Sequence, residues 1–168
     1  SIKVSVFKKI IFLSKKAERF FRYGINTAEI YQDILYFSFN KKLYSLNLLN
    51  YTLLIEHTYV NGRGPLKFST IRNIENFNNG IYFGEYFSNS IMKPVSIYVR
   101  NRNHEWEVIY TFKKSQINHI HSIVPDKIRN CVWILAGDFS QGASIWRAEN
   151  NFKSVERVVY NKQIFRSC

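Results

Sequence analysis

The chain has 168 residues, a formal charge of +12, and 46% apolar and 17% aromatic residues. That is long enough to bury the core of one ordinary domain and too hydrophobic for a disordered chain. No stretch approaches the ~20 apolar residues of a membrane-spanning helix, and a composition rich in Tyr and Phe but poor in Ala favours strands over helices.

In chain order, residues 1–23 form a basic segment in which Phe7, Phe12, Phe20 and Phe21 lie among Lys and Arg. A strand at Lys3–Phe7 and a second strand or short helix at Lys9–Phe21 are predicted there. An amphipathic membrane-surface segment is the alternative. Ile10–Leu13 is too short for a signal-peptide core and lacks a cleavage pattern, so a cytoplasmic location is expected. Strand-like runs follow at Thr27–Tyr31, Ile34–Phe39, Lys42–Leu46 and Thr52–His57. Gln32-Asp33 and Asn40-Lys41 are candidate two-residue turns, which makes this region an antiparallel meander. Further strands are predicted at Pro65–Ile74, Ile81–Tyr86, Ser96–Arg100 and Glu107–Thr111. The last set is His119–Val124, Cys131–Ala136, Ser144–Arg147 and Val155–Tyr160.

The two cysteines, Cys131 and Cys168, make no disulfide framework, and Cys131 beside Val132-Trp133 reads as a buried thiol. Lys and Arg are spread along the chain. Such a charge suits nucleic acid, anionic lipid or an anionic sugar polymer, or simply solubility. No zinc-finger spacing, RNP-like strand or helix-turn-helix pattern is present, so nucleic acid is not an expected partner.

Units of four short antiparallel strands repeated along a chain point to a β-propeller. The expected fold is therefore all-β: a single domain over 1–168, with about three four-stranded blades in a partial propeller over 24–168. A repeat supports this. In Val99–Trp106, Asn101 and Trp106 occupy the frame Ser-x-Asp-x-Gly-x-Thr-Trp, and in Ala148–Val155 Asn150 stands at the same point, 49 residues on from the first box. Leu53 lies about one further period upstream, and a period near 50 is that of propeller blades. The acidic or amide residue of such a box accepts backbone N–H groups in a tight turn while the Trp packs beneath. These are fold residues.

With these boxes, the chain resembles the sialidase-like (BNR or Asp-box) propeller superfamily, and more closely a bacterial group associated with surface polysaccharides. The residues that carry the resemblance are Gly84-Glu85-Tyr86, the run Val95–Phe112, His119-Ile120-His121, Pro125-Asp126, Val132–Asp138 and Lys162–Arg166. Asn118 stands where that group has Arg. Such propellers close with more blades than this sequence supplies, so the resemblance implies a fragment of a longer chain or closure by homo-oligomerisation, since open edges invite pairing.

The polar residues at strand ends are the candidate site. Glu85, His119 with His121, and Gln163 with Arg166 fall in predicted first strands and are expected to converge on one axial funnel, with Asp138 nearby. The resemblance implies carbohydrate binding or glycosyl chemistry. In an enzyme, Glu85, His121 and Asp138 would be catalytic, with Glu85 the acid or base, and Tyr86, His119, Gln163, Arg166 and Arg100 would bind substrate. Glu85 reads equally as a structural carboxylate. The histidines share a strand face and read as a proton-transfer or sugar-binding pair, or as a structural one. Two His with no nearby carboxylate or Cys make a weak metal site, so no metal and no cofactor is expected. Trp106, Trp133 and Trp146 are expected in the core. The expected partner is a glycan. A non-catalytic glycan-binding or scaffold propeller and a basic module for an anionic polymer or membrane surface are the alternatives.

Overall fold

A computed structural model describes residues 24–101, 103–138 and 142–160. The readings at residues 1–23, Gln163, Arg166 and Cys168 lie outside them. Twelve strands form among the described residues. The first sheet holds β1 (Ile25–Tyr31), β2 (Ile34–Phe39), β3 (Lys42–Asn47) and β4 (Leu53–Thr58). The second holds β5 (Phe68–Ile71), β6 (Gly80–Gly84), β7 (Val95–Arg100) and β8 (Trp106–Phe112). The third holds β9 (Ile120–Asp126), β10 (Cys131–Ala136), β11 (Ser144–Glu149) and β12 (Ser154–Tyr160). Each sheet is a four-stranded antiparallel meander whose neighbours in sequence are neighbours in space. The all-β expectation and its strand spacing therefore hold.

Local chemistry sets the hairpins. Asn40 and Lys41 both adopt positive φ (49° and 62°), as the tight turn between β2 and β3 requires. Between β7 and β8 the Asn101 side-chain oxygen accepts the Asn103 and Glu105 N–H groups at 2.9 and 3.0 Å. This is the turn the box predicts. In the second box Asn150, Asn151 and Phe152 are all left-handed. Asn47 does the same work between β3 and β4, its Oδ1 accepting the Leu49 and Asn50 N–H groups.

Two cores lie between the sheets. Tyr36, Leu43, Tyr59, Phe68, Ile81 and Phe83 fill one, with Trp106 packed against it. Tyr82, Ile97, Phe112, Ile120, Ile134 and Trp146 belong to the larger one. Cys131 is a buried free thiol, as expected. Among the closest approaches between sheets, β1 meets β5, and β5 and β6 meet β9. Burial of β6 on both faces follows from this position.

The approach of β6 to β9 depends on Gly84. A Cβ there would lie 2.4 Å from Cγ2 and 2.5 Å from Cβ of Ile120, a buried side chain with a stiff χ1. Gly84→Ala should therefore cost about 1–3 kcal/mol, the range for overpacking a close-packed core. Urea unfolding checks this, with a lowered midpoint at an unchanged m-value as the expected result.

Candidate functional site

The site forms where the end of β6 meets the start of β9. The Ile120 N–H donates to the Glu85 carbonyl at 2.9 Å, joining the second and third sheets by a backbone hydrogen bond. Ile120 points into the core. The period of two along an extended chain then turns His119 and His121 to the opposite face together. Both are buried. Asp138 arrives from the end of β10, where the Gly137 N–H donates to the His119 carbonyl at 2.9 Å.

The three side chains meet. His119 Nε2 lies 3.0 Å from His121 Nε2 and 3.1 Å from Asp138 Oδ2, and His121 Nε2 lies 3.5 Å from Asp138 Oδ1. Asp138, expected near the funnel, brings its carboxylate against both imidazoles. Nδ1 of His119 is 3.1 Å from the Phe87 carbonyl. A carbonyl can only accept, so Nδ1 carries the proton and donates. Burial lowers the His119 pKa; Asp138 opposes this and His121 adds to it. The Tyr86 ring lies against both imidazoles, at centroid distances of 4.5 and 5.7 Å.

Above the cluster opens a cleft of about 790 Å³, lined among others by Tyr86, Phe87, Asn89, Asn118, His119 and Asp138. Asn89 and Asn118 shape its wall. The Asn89 amide nitrogen donates to the Asn118 carbonyl at 2.8 Å, and the Asn118 amide nitrogen donates to the Asn89 carbonyl at 3.1 Å. Asn89 also closes its own turn, accepting the Lys93 N–H at 2.8 Å. Asn118, standing where the resembled group has Arg, spends its amide on the scaffold. Asn89 was not foreseen. Its only signal in the sequence is an Asn-rich turn, which does not reveal a partner 29 residues away.

The structure gathers Tyr86, His119, His121 and Asp138, and separates the others. Gly84 ends the second strand of its sheet rather than lying in the first, so Glu85 and His119 come together as neighbours across a seam and not as equivalent positions. Glu85 turns away from the histidines. Its Oε2 accepts the Ser96 N–H at 2.8 Å, and the carboxylate is also bonded by Asn61. It borders a cavity of only about 20 Å³ with His57, Tyr59, Phe83 and Tyr98. Desolvation raises its pKa, while the Ser96 and Asn61 bonds pull it down.

Arg100 lies at the far end of β7 from Glu85. It forms a two-pronged ion pair with Glu56 of the first sheet at 2.6 and 2.8 Å, and the Trp106 indole N–H donates to the same carboxylate at 2.9 Å. This placement is structural and does not bring Arg100 to the cleft. Trp146 is buried and Trp106 packs on the core, as expected, whereas Trp133 is only half-buried, its indole N–H donating to Asp126 at 2.9 Å.

No protein-family model matches the chain, and no curated protein matches it significantly. Among solved structures it is similar to the extracellular domain described as that of the hybrid two-component system BT4673 from B. thetaiotaomicron. The TM-score is 0.58 at 20% identity, over 82% of this chain and 17% of that one. A second structure of that extracellular domain, described as a one-component system, gives 0.54 at 21% identity with the same coverage. A chain of a nidogen/laminin complex gives 0.53 at 10% identity, over 82% of this chain and 49% of that one. The chain spans about a sixth of the length of the BT4673 domain. These likenesses are of fold: an all-β protein of repeated four-stranded antiparallel sheets.

Proposed function

We propose that this chain is an arc of a sialidase-like propeller whose seam cleft binds a glycan without cleaving it. The three meanders meeting through their leading strands support the propeller reading, because radial blades pack in that way. The observation that carries the binding reading is the cleft. An aromatic ring, Tyr86, stands beside Asp138, His119 and amide-bearing walls. Rings stack on the apolar face of a sugar, while carboxylate and imidazole take its hydroxyls.

Hydrolysis by an acid–base pair needs two carboxyls flanking the scissile bond. Among the described residues lining this cleft, Asp138 is the only carboxylate, and Glu85 faces another cavity. Binding is therefore the better-supported reading.

Calorimetric titration with acidic and neutral oligosaccharides tests it. Tyr86→Ala should weaken binding about tenfold, the effect of losing roughly 1.4 kcal/mol of aromatic contact. Glu85→Gln should bind as the parent does. Turnover that disappears in Glu85→Gln would replace binding with glycosyl chemistry. Affinity that falls steeply with salt and ignores Tyr86→Ala would replace it with a surface-charge interaction.

Glu85 also makes a pH prediction. Its folded pKa lies above the ordinary 4.5. Its stabilising contribution is thus fully present below that ordinary value and is lost as pH rises through the folded value. The glutamine variant keeps an oxygen to accept the Ser96 N–H but does not titrate. The stability of the parent relative to Glu85→Gln should therefore fall as pH rises through this window. Thermal melts across the range measure it, and a constant difference would refute the assignment.

A further inference from the structure

His119, His121 and Asp138 have the spacing of a metal-ligand set. Their donor atoms all lie within 4.8 Å of one another. Closest approaches are 3.0 Å between the Nε2 atoms, and 3.1 and 3.5 Å from nitrogen to carboxylate oxygen. A divalent ion bound at about 2.0–2.1 Å from each ligand holds neighbouring ligand atoms roughly 3.0–3.4 Å apart in octahedral or tetrahedral geometry. The cluster already has nearly these spacings.

The tautomer of His119 strengthens the case. Nδ1 donates to the Phe87 carbonyl, so in the neutral ring Nε2 presents a lone pair. That lone pair faces a carboxylate oxygen at 3.1 Å, an acceptor against an acceptor. A cation between them turns the contact from repulsive to attractive. A ligating imidazole whose other N–H is held by a carbonyl is also the usual outer-shell arrangement of a metal site. His121 Nε2, 3.0 Å from His119 Nε2, is placed to join as a ligand. The backbone fixes all three residues: the strand period sets the histidines, and the Gly137–His119 hydrogen bond sets Asp138.

We propose that His119, His121 and Asp138 bind one divalent transition-metal ion of the zinc class. Two imidazoles and one carboxylate suit zinc or cobalt rather than calcium or magnesium, which take oxygen ligands. His119 and Asp138 also line the large cleft, so a remaining coordination position opens toward it. There the ion can accept a hydroxyl or carboxylate oxygen from a bound molecule, as three-ligand zinc sites do.

The test uses the whole chain, free of any histidine tag, stripped with a chelator and titrated with Co²⁺ alone. One equivalent should bring in visible ligand-field absorption, and one equivalent of Zn²⁺ should displace it. His119→Gln and Asp138→Asn should each weaken Zn²⁺ binding by at least about 100-fold, the upper end of what losing an outer-shell partner costs. His104→Ala, at the far end of the second sheet, should leave binding unchanged. Near-UV circular dichroism identifies variants that fail to fold, and the parent titration then decides alone. Absence of cobalt absorption, binding beyond one equivalent, or equal competition by Ca²⁺ would overturn the assignment. So would retained affinity in a folded Asp138→Asn protein. Glycan binding measured in chelator separates a failure here from a failure of the glycan reading.

Discussion

Replacing Glu56 by alanine should destabilise the fold by about 3–5 kcal/mol, the cost of leaving one member of a buried ion pair uncompensated. Against a total stability of roughly 5–15 kcal/mol, such a change brings a domain near its unfolding threshold. The Glu56 side chain is 4% exposed and that of Arg100 12%. Without the carboxylate, the Arg100 guanidinium keeps the His104 ring nitrogen at 2.7 Å and Tyr36, whose ring face lies at 5.3 Å and whose hydroxyl hydrogen-bonds it. The Trp106 indole N–H loses its acceptor as well. The pair also ties β4 of the first sheet to β7 of the second, so the loss falls on the join between two sheets. Glu56→Leu combined with Arg100→Met should recover most of the stability, because both charges then leave together. The residue of about 1–3 kcal/mol should be the unsatisfied Trp106 N–H. Urea unfolding of the three proteins measures this. A double variant no better than Glu56→Ala would show that the ion pair stabilises by more than mutual neutralisation.

Gly137→Ala is expected to dismantle the candidate site. Its φ of +77° is a conformation that costs an L-residue about 1–2 kcal/mol. An added Cβ would also fall 1.8 Å from the Gly142 carbonyl oxygen and 2.1 Å from its carbon. These are backbone atoms with no rotamer to change, so the backbone at Gly137 or Gly142 must shift. Strain and overpacking together should cost about 2–5 kcal/mol. A shift at Gly137 carries the adjacent Asp138 away from both histidines, and the Gly137–His119 bond breaks with it. Calorimetric titration should then show cleft ligands and metal binding weakly or not at all, in a protein whose first sheet remains protected in hydrogen exchange. Binding that survives Gly137→Ala would mean that Asp138 is not held by this turn.

The twelve strands were legible because their signals are local. The alternation of Val95–Arg100 and the turn chemistry at Asn101 are properties of a few consecutive residues, and the structure realises both. The pairing of His119 with His121 was legible for the same reason. Asp138 was legible as a strand end near the funnel, but not as a partner of the two imidazoles. Its meeting with the histidines depends on β10 lying beside β9 and on the left-handed Gly137, which no short-range pattern encodes. Arg100 was misread because an arginine at the end of a strand looks alike whether it faces a ligand or Glu56, which is 44 residues away. Glu85 was read as neighbour to the histidines, and in the backbone it is. Its side chain lies on the other face because Tyr86, the next residue, takes the side toward them.

The backbone bond from Ile120 to Glu85 places the cluster on the joint between two sheets. A molecule in the cleft touches Tyr86 and Phe87 on one side of that joint and His119 and Asp138 on the other. By thermodynamic linkage, the free energy with which a ligand prefers the closed joint equals the free energy it adds against opening. For a ligand that needs both sides of the joint, affinity and added seam strength are therefore linked. At a concentration a hundredfold above its dissociation constant, such a ligand should make the seam resist separation by about 2.7 kcal/mol more than in the ligand-free protein. The site would then act as a rivet for the architecture as well as a place where a molecule binds.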